Sequence, residues 1–205
     1  MSDQITKYRT LERLSTGFLN EKNSKFIAIA TPCYSLIEAK DFIHSWKKEH
    51  PQANHFCFAY KVGIQNCQIR INDDGEPTNS AGLPIFGQIQ SYELNNVLIG
   101  VIRYFGGTKL GVGGLIKAYK NAAKDAIVNG LIIEKEIYRS IMCSFDYSQI
   151  PLVMNLVKKF NLDFTDQVFN ENCSIKLQVP FAKVETVMGM LNSIENIEII
   201  NLGTF

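Results

Sequence analysis

Residues 137–204 read IYRSIMCSFDYSQIPLVMNLVKKFNLDFTDQVFNENCSIKLQVPFAKVETVMGMLNSIENIEIINLGT, and the way hydrophobic period switches along them decides the fold class. Residues 137–146 and 162–169 have the length and apolar content of strands. Residues 173–179 alternate cleanly, with Ile175, Leu177 and Val179 against Ser174, Lys176 and Gln178, so one face of that strand is wet. Helical spacing governs 149–160, where Ser148 is the expected cap, and 181–194; residues 196–204 close the series with a further strand. The order β-α-β-β-α-β is the split βαβ, ferredoxin-like pattern. It predicts a domain over 135–205, about seventy residues and near the lower end for independent folding.

Upstream, strands and helices also mix. KFIAIAT (25–31) reads as a strand ending at Pro32. A helix follows with Ser35 as N-cap, Glu38 completing a capping box, and Leu36, Ala39, Ile43 and Trp46 at helical spacing until His50 and Pro51 stop it. HFCFAYKV (55–62) and residues 68–71 read as a hairpin, and NDDGEPTNS (72–80) is a cluster of turn formers. Residues 81–89 open a helix, and NVLIGVIRY (96–104) is a buried strand. A glycine-dense turn at 106–114 then leads into LIKAYKNAAKDAIVNG, with Leu115, Tyr119, Ala122 and Ala126 on one face, Lys117, Lys120 and Lys124 on the other, and Gly130 as C-cap. The chain is therefore expected to be α+β in two domains, 1–134 and 135–205.

At 46% hydrophobic and 20% charged, these 205 residues are too apolar for a disordered tail. Lys plus Arg number 21 and Asp plus Glu 20, so no whole-protein field draws in nucleic acid or anionic lipid; any polyanion site must be local. Counted by domain, the first is net +3 and the second net −2. No apolar run approaches the roughly 18 residues that cross a bilayer, and the polar start lacks the apolar block of a signal peptide, so a cytoplasmic protein without membrane contact is expected. Five cysteines without a C-x-x-C pair argue against a disulfide framework or a zinc cage.

The strongest chemical signal is RYFGGTKLGVGGLIKAY (103–119). A strand ending in an arginine and turning through glycines into a helix start exposes backbone N–H groups beside cations, where a phosphate, sulfate or carboxylate fits. Arg103, Gly106, Gly107, Lys109, Gly111, Gly113, Gly114 and Lys117 are the candidate anion or RNA-backbone residues. The alternative is that the glycines only let the turn pass close to a neighbouring segment. Neither nucleotide-loop pattern fits: Val112 follows Gly111 where a P-loop needs Lys, and Ile116 replaces the third glycine of a dinucleotide loop. A second constellation is Asp73, Asp74 and Glu76, which could hold Mg²⁺ or supply a general base, or could simply form a turn before a helix that Ser80 caps. Cys57 lies two residues from His55, but with aromatic neighbours and no orienting acid it reads as core. Ser80 lacks the glycine of a nucleophile elbow. In the C-terminal domain the alternating strand carries no aromatic residue, so base stacking on that sheet is unsupported.

Two motifs, DDGEPTNSAGLP (73–84) and VIRYFGGTKLGVGGLIKAY (101–119), resemble the signature of the IMPACT family, bacterial YigZ type, with KNSKFIAIATP and ANHFCFAYKVG as supporting matches. Thr78-Asn79-Ser80 stands where the family commonly has Ser-Gly-Thr, and Phe56 where Asn is usual. The resemblance implies a first domain similar to a ribosomal-protein fold, with helices on one side of a mixed sheet, and a second similar to the last domain of elongation factor G. It also implies a theme of translation regulation. Eukaryotic relatives exert that role under amino-acid starvation through an additional N-terminal partner-binding domain, which this chain is expected to lack.

The combined expectation is a protein acting near translation, possessed of no cofactor and binding RNA or another phosphate-containing ligand, with ribosome association implied by the family theme. Two rival expectations are a metal-assisted phosphoester hydrolase using Asp73, Asp74 and Glu76 with Mg²⁺, and a protein-docking module with neither ligand.

Overall fold

The structure, a computed structural model, describes residues 5–170 and 172–204. Its elements are β1 (Lys7–Leu11), β2 (Ser15–Glu21), β3 (Ser24–Pro32), α1 (Leu36–Glu49), β4 (His55–Val62), β5 (Gln68–Asn72), α2 (Gly82–Ser91), β6 (Val97–Tyr104), α3 (Gly111–Val128), β7 (Ile132–Glu136), β8 (Tyr138–Asp146), α4 (Ile150–Phe160), β9 (Asp163–Val168), β10 (Asn172–Pro180), α5 (Val184–Leu191) and β11 (Ile197–Thr204). Strands β1 and β7 pair as a small two-stranded sheet. The chain divides into two compact units, residues 9–135 and residues 136–204 with 5–8.

The first unit is built on a five-stranded sheet in the order β2-β3-β6-β4-β5. Its central strands β3 and β6 are near-continuous apolar runs because both of their faces are covered. On one face Phe26, Ala28, Ala30, Cys57, Ala59, Ile99 and Val101 pack with the apolar sides of α2 and α3. On the other, Ile29, Phe56, Phe58, Leu98 and Ile102 pack with Ala39 and Trp46 of α1. This corrects two details implied by the resemblance: helices cover both faces rather than one, and every pairing in the sheet is antiparallel rather than mixed. Trp46 is the physical reason for the first correction, since its buried ring needs a second core beneath the sheet.

Ser35 caps α1 as expected: its Oγ accepts the Glu38 amide at 3.1 Å while the Glu38 carboxylate accepts from the Tyr34 amide at 2.7 Å. At the other end of this unit, Asn129 and not Gly130 is the C-cap of α3.

The second unit carries a four-stranded antiparallel sheet in the order β11-β8-β10-β9. In chain order within the unit that is 4-1-3-2, the arrangement the βαββαβ pattern predicts. Ile141, Cys143, Phe145, Cys173, Ile175, Leu177 and Val179 point to α4 and α5 and meet Val153, Val157, Val184, Val187 and Leu191. Ser148 does not cap α4. It sits inside a 3-10 turn, Tyr147–Gln149, that leads into the helix, and Pro151 occupies the first turn, where its missing N–H costs nothing. Helix α5 is shorter than its apolar spacing suggests, because Phe181–Lys183 forms a separate 3-10 turn. No helix among the described residues is long and apolar enough to cross a membrane.

Candidate functional site

The register of the first sheet builds the site. Arg103, near the end of β6, stands opposite Phe26 of β3 on one side and His55 of β4 on the other. The turn-rich loop between β5 and α2 crosses this end of the sheet and is tied down by its own carboxylates. Asp73 Oδ1 accepts the Ala81 and Gly82 amides at 3.0 and 2.8 Å, and Oδ2 accepts the Asn79 amide at 2.9 Å. Asp73 thus satisfies the first free amides of α2. Ser80 does not cap that helix; its hydroxyl donates to the Pro77 carbonyl at 2.6 Å. Asn79 lies in the left-handed region with φ 61°, a conformation glycine and asparagine tolerate best. Asp74 accepts the Phe56 amide at 2.7 Å and pairs with Lys47 at 3.1 Å.

Glu76 alone of the three carboxylates turns inward. Its Oε1 accepts from Arg103 Nη1 at 2.7 Å and from the Tyr119 hydroxyl at 2.8 Å, and all three residues are buried. The Tyr119 hydroxyl also receives the Cys57 thiol at 3.4 Å, and that thiol reaches the Asp73 carbonyl at 3.0 Å. Burial pushes the Cys57 thiol up to about 12, and burial raises the Tyr119 phenol as well. Both groups therefore stay protonated and act as donors; Cys57 is core, not a nucleophile. His55 Nδ1 lies 2.8 Å from the Asp74 carbonyl oxygen, which can only accept. In the neutral ring Nδ1 therefore carries the proton, leaving Nε2 bare and 3.9 Å from Glu76 Oε1.

Above this network opens a cleft of about 370 Å³. His55, Glu76, Arg103 and Lys109 supply its polar groups, and Pro77, Phe105, Leu110, Val112 and Leu115 its apolar wall. The acidic loop and the glycine turn thus share one cleft, a proximity that no spacing in the sequence reveals. Among the described residues no three His, Cys, Asp or Glu side chains converge as a metal-ligand group, and Asp73 and Asp74 spend their oxygens on amides and Lys47.

The turn itself is half sealed and half open. Arg103 is only 5% exposed and its charge is paired with Glu76, so it does not reach solvent as a free cation. The Phe105 amide donates to Asn54 Oδ1 at 2.7 Å and the Gly106 amide to Ser24 Oγ at 3.1 Å. A Cβ on Gly106 would stand 2.0 Å from the Asn23 carbonyl carbon, so this glycine exists to let two backbones touch. From Gly107 onward the turn differs: Gly107, Lys109, Gly111 and Gly113 are exposed, and a Cβ on any of the three glycines would meet nothing within 4 Å. Helix α3 starts there without a side-chain cap. Gly114 packs its Cα side toward Leu110, and Lys117 is exposed further along α3, outside the cleft lining.

Three participants escaped the sequence reading of the site. Tyr119 reads there as one more apolar position, although a tyrosine among alanines on a buried helix face needs a hydroxyl partner. Ser24 has no distinguishing local signal. His55 stands out only beside Cys57, whereas its geometric partners are Asp74 and Glu76.

A sequence profile of the Impact N-terminal domain matches residues 22–127, the segment that builds this cleft. Among curated relatives, an IMPACT family member from Haemophilus influenzae is 33% identical over 169 residues, covering 80% of this chain and 81% of that protein. The IMPACT family member YigZ of Escherichia coli is 29% identical over 165 residues, with 80% and 81% covered. Among solved structures, a crystal structure of a hypothetical protein superposes with a TM-score of 0.73 at 25% identity, covering 98% of this chain and 99% of that one.

Proposed function

Because the chain belongs to the IMPACT family, we propose that it is a cytoplasmic, translation-associated regulatory protein that binds RNA through a phosphate held at the mouth of this cleft. The observation that carries the reading is the uncapped start of α3 beside exposed Lys109 on the rim of an open cleft. Amides at a helix start and an adjacent ammonium attract a phosphate. Arg103 enters differently from its role in the sequence reading. Paired with Glu76, it fixes the cleft floor, and Lys109 with the α3 amides makes the contact.

The test is fluorescence anisotropy with an RNA panel at low and moderate salt. Wild-type affinity falls as salt rises, and Lys109→Ala weakens binding across all sequences while lowering the log–log salt slope by about 1. Absence of salt-dependent binding, or an unchanged Lys109→Ala variant, removes the reading.

A further inference from the structure

Resting on the RNA-binding reading, we infer that the cleft selects single-stranded RNA, by stacking one unpaired base on Phe105 while the neighbouring phosphate sits at Lys109 and the start of α3. Phe105 is 44% exposed, a large aromatic left at the cleft edge by a strand that has just ended. The Arg103 guanidinium lies over its ring, 5.4 Å from the centroid, and over the Phe26 ring at 5.5 Å, so the Phe105 ring is backed by a cation fixed through Glu76. Arg103 Nε is a buried donor without a hydrogen-bond partner, in a side chain that lines the cleft. Arg139 Nε in the second unit is unpartnered in the same way, so this donor marks no site by itself, and the subsite rests on the exposed ring and the cleft around it.

The other walls agree with a nucleotide. Pro77, Leu110, Val112 and Leu115 are apolar and suit the flat faces and edges of a base, whereas an inorganic anion alone would have no use for them. A space of about 370 Å³ lies at the small end of ligand pockets, which run from about 300 to 1,000 Å³. It has room for one nucleotide. A duplex keeps its bases stacked on each other and offers nothing to Phe105, whereas an unpaired strand can place a base there. The carboxylate of Glu76 does not oppose the phosphate, because Arg103 and Tyr119 already engage it at the cleft floor.

The experiment compares, by anisotropy on the full chain, an unstructured RNA 12-mer, the same sequence as a duplex, and a 12-mer of abasic ribose phosphates, with adenosine monophosphate as a competitor. The single strand binds at least ten-fold more tightly than the duplex or the abasic strand. Phe105→Ala and Phe105→Leu each lose about 5- to 100-fold for the single strand and nothing for the abasic one, and Phe105→Trp retains wild-type affinity. Competition by the mononucleotide at millimolar level with retained strand preference supports the same subsite; competition as strong as that of the strand assigns the cleft to free nucleotides and overturns the inference. Equal affinity for strand and duplex, or a Phe105→Leu variant that binds like wild type, also overturns stacking while leaving RNA binding intact. Failure of every nucleic acid to bind removes both readings. Circular dichroism and a thermal melt of each variant establish that it is folded.

Discussion

Glu76 and Arg103 lie 27 positions apart in sequence and form a buried ion pair with Nη1 and Oε1 at 2.7 Å, beneath the candidate cleft. Removing one partner strands the other charge in the interior. Glu76→Ala and Arg103→Ala should each lower unfolding free energy by about 3–5 kcal/mol, read from urea denaturation. The double variant should lose much less than the sum, because a double-mutant cycle returns the coupling of a direct contact. Additive losses would show that the pair does not act as a unit.

The glycines of the turn separate by what surrounds them. Gly106→Ala forces a Cβ into the Asn23 backbone and should destabilise by about 1–3 kcal/mol or more. Gly113 lies in the first turn of α3 with open space around it, so Gly113→Ala should be neutral or stabilising by up to about 1 kcal/mol. The same variant should nevertheless weaken RNA binding, since its methyl group narrows the approach to the helix start. Thermal melts and anisotropy on the two variants check both halves.

Stability should fall at alkaline pH through the buried thiols. Cys33 and Cys143 are raised by burial to about 11 and Cys57 to about 12, against 9.0 for an unhindered thiol. A raised pKa in the folded state means its contribution is whole below the unfolded value and is lost as pH climbs toward the folded one. Between about pH 9 and 11 each such thiol should cost about 1.4 kcal/mol per pH unit. Denaturation at pH 8 and pH 10 measures the slope, and Cys57→Ala should flatten it. In native protein at pH 8, a small alkylating reagent should label Cys67, the one cysteine that is not buried, ahead of the other four.

Asp73 works as a cap for α2, which sets its response to substitution. Asp73→Ala should cost about 1–2 kcal/mol in a chemical melt, because three amides lose their acceptor. Addition of Mg²⁺ at millimolar level should not distinguish the variant from wild type. A magnesium-dependent stabilisation lost with Asp73 would instead assign the loop to a cation.

Most of the elements are visible in the residues because their patterns are local. Ser35 with Glu38, the alternation of 173–179 and the apolar run 96–104 each declare themselves within ten positions. Strands β1, β2 and β7 do not: Ser15–Glu21 is polar and half exposed, and it is a strand because β3 pairs with it and α3 lies against it. Tertiary context there overrides propensity. The site divides in the same way. That the turn carries a lysine, glycines and a helix start is legible in 103–119, and Gly107, Lys109 and Gly111 are exposed there. That Arg103 would be consumed by Glu76 is not, since the pairing depends on how β6 registers against β4 and on where the loop after β5 crosses. Charge in a sequence shows that a group is present, not whether it is already spoken for.

The wedge of Gly106 against Asn23 bears on how this segment can drift over evolutionary time. A side chain at 106 meets main-chain crowding, so a glycine kept there by divergent relatives would testify only to architecture. At 113 no such prohibition operates, and alanine would make the better helix. A glycine retained at 113 across distant lineages would have to be retained for a visitor, which makes the contrast between these two positions a readout of ligand pressure that requires no assay.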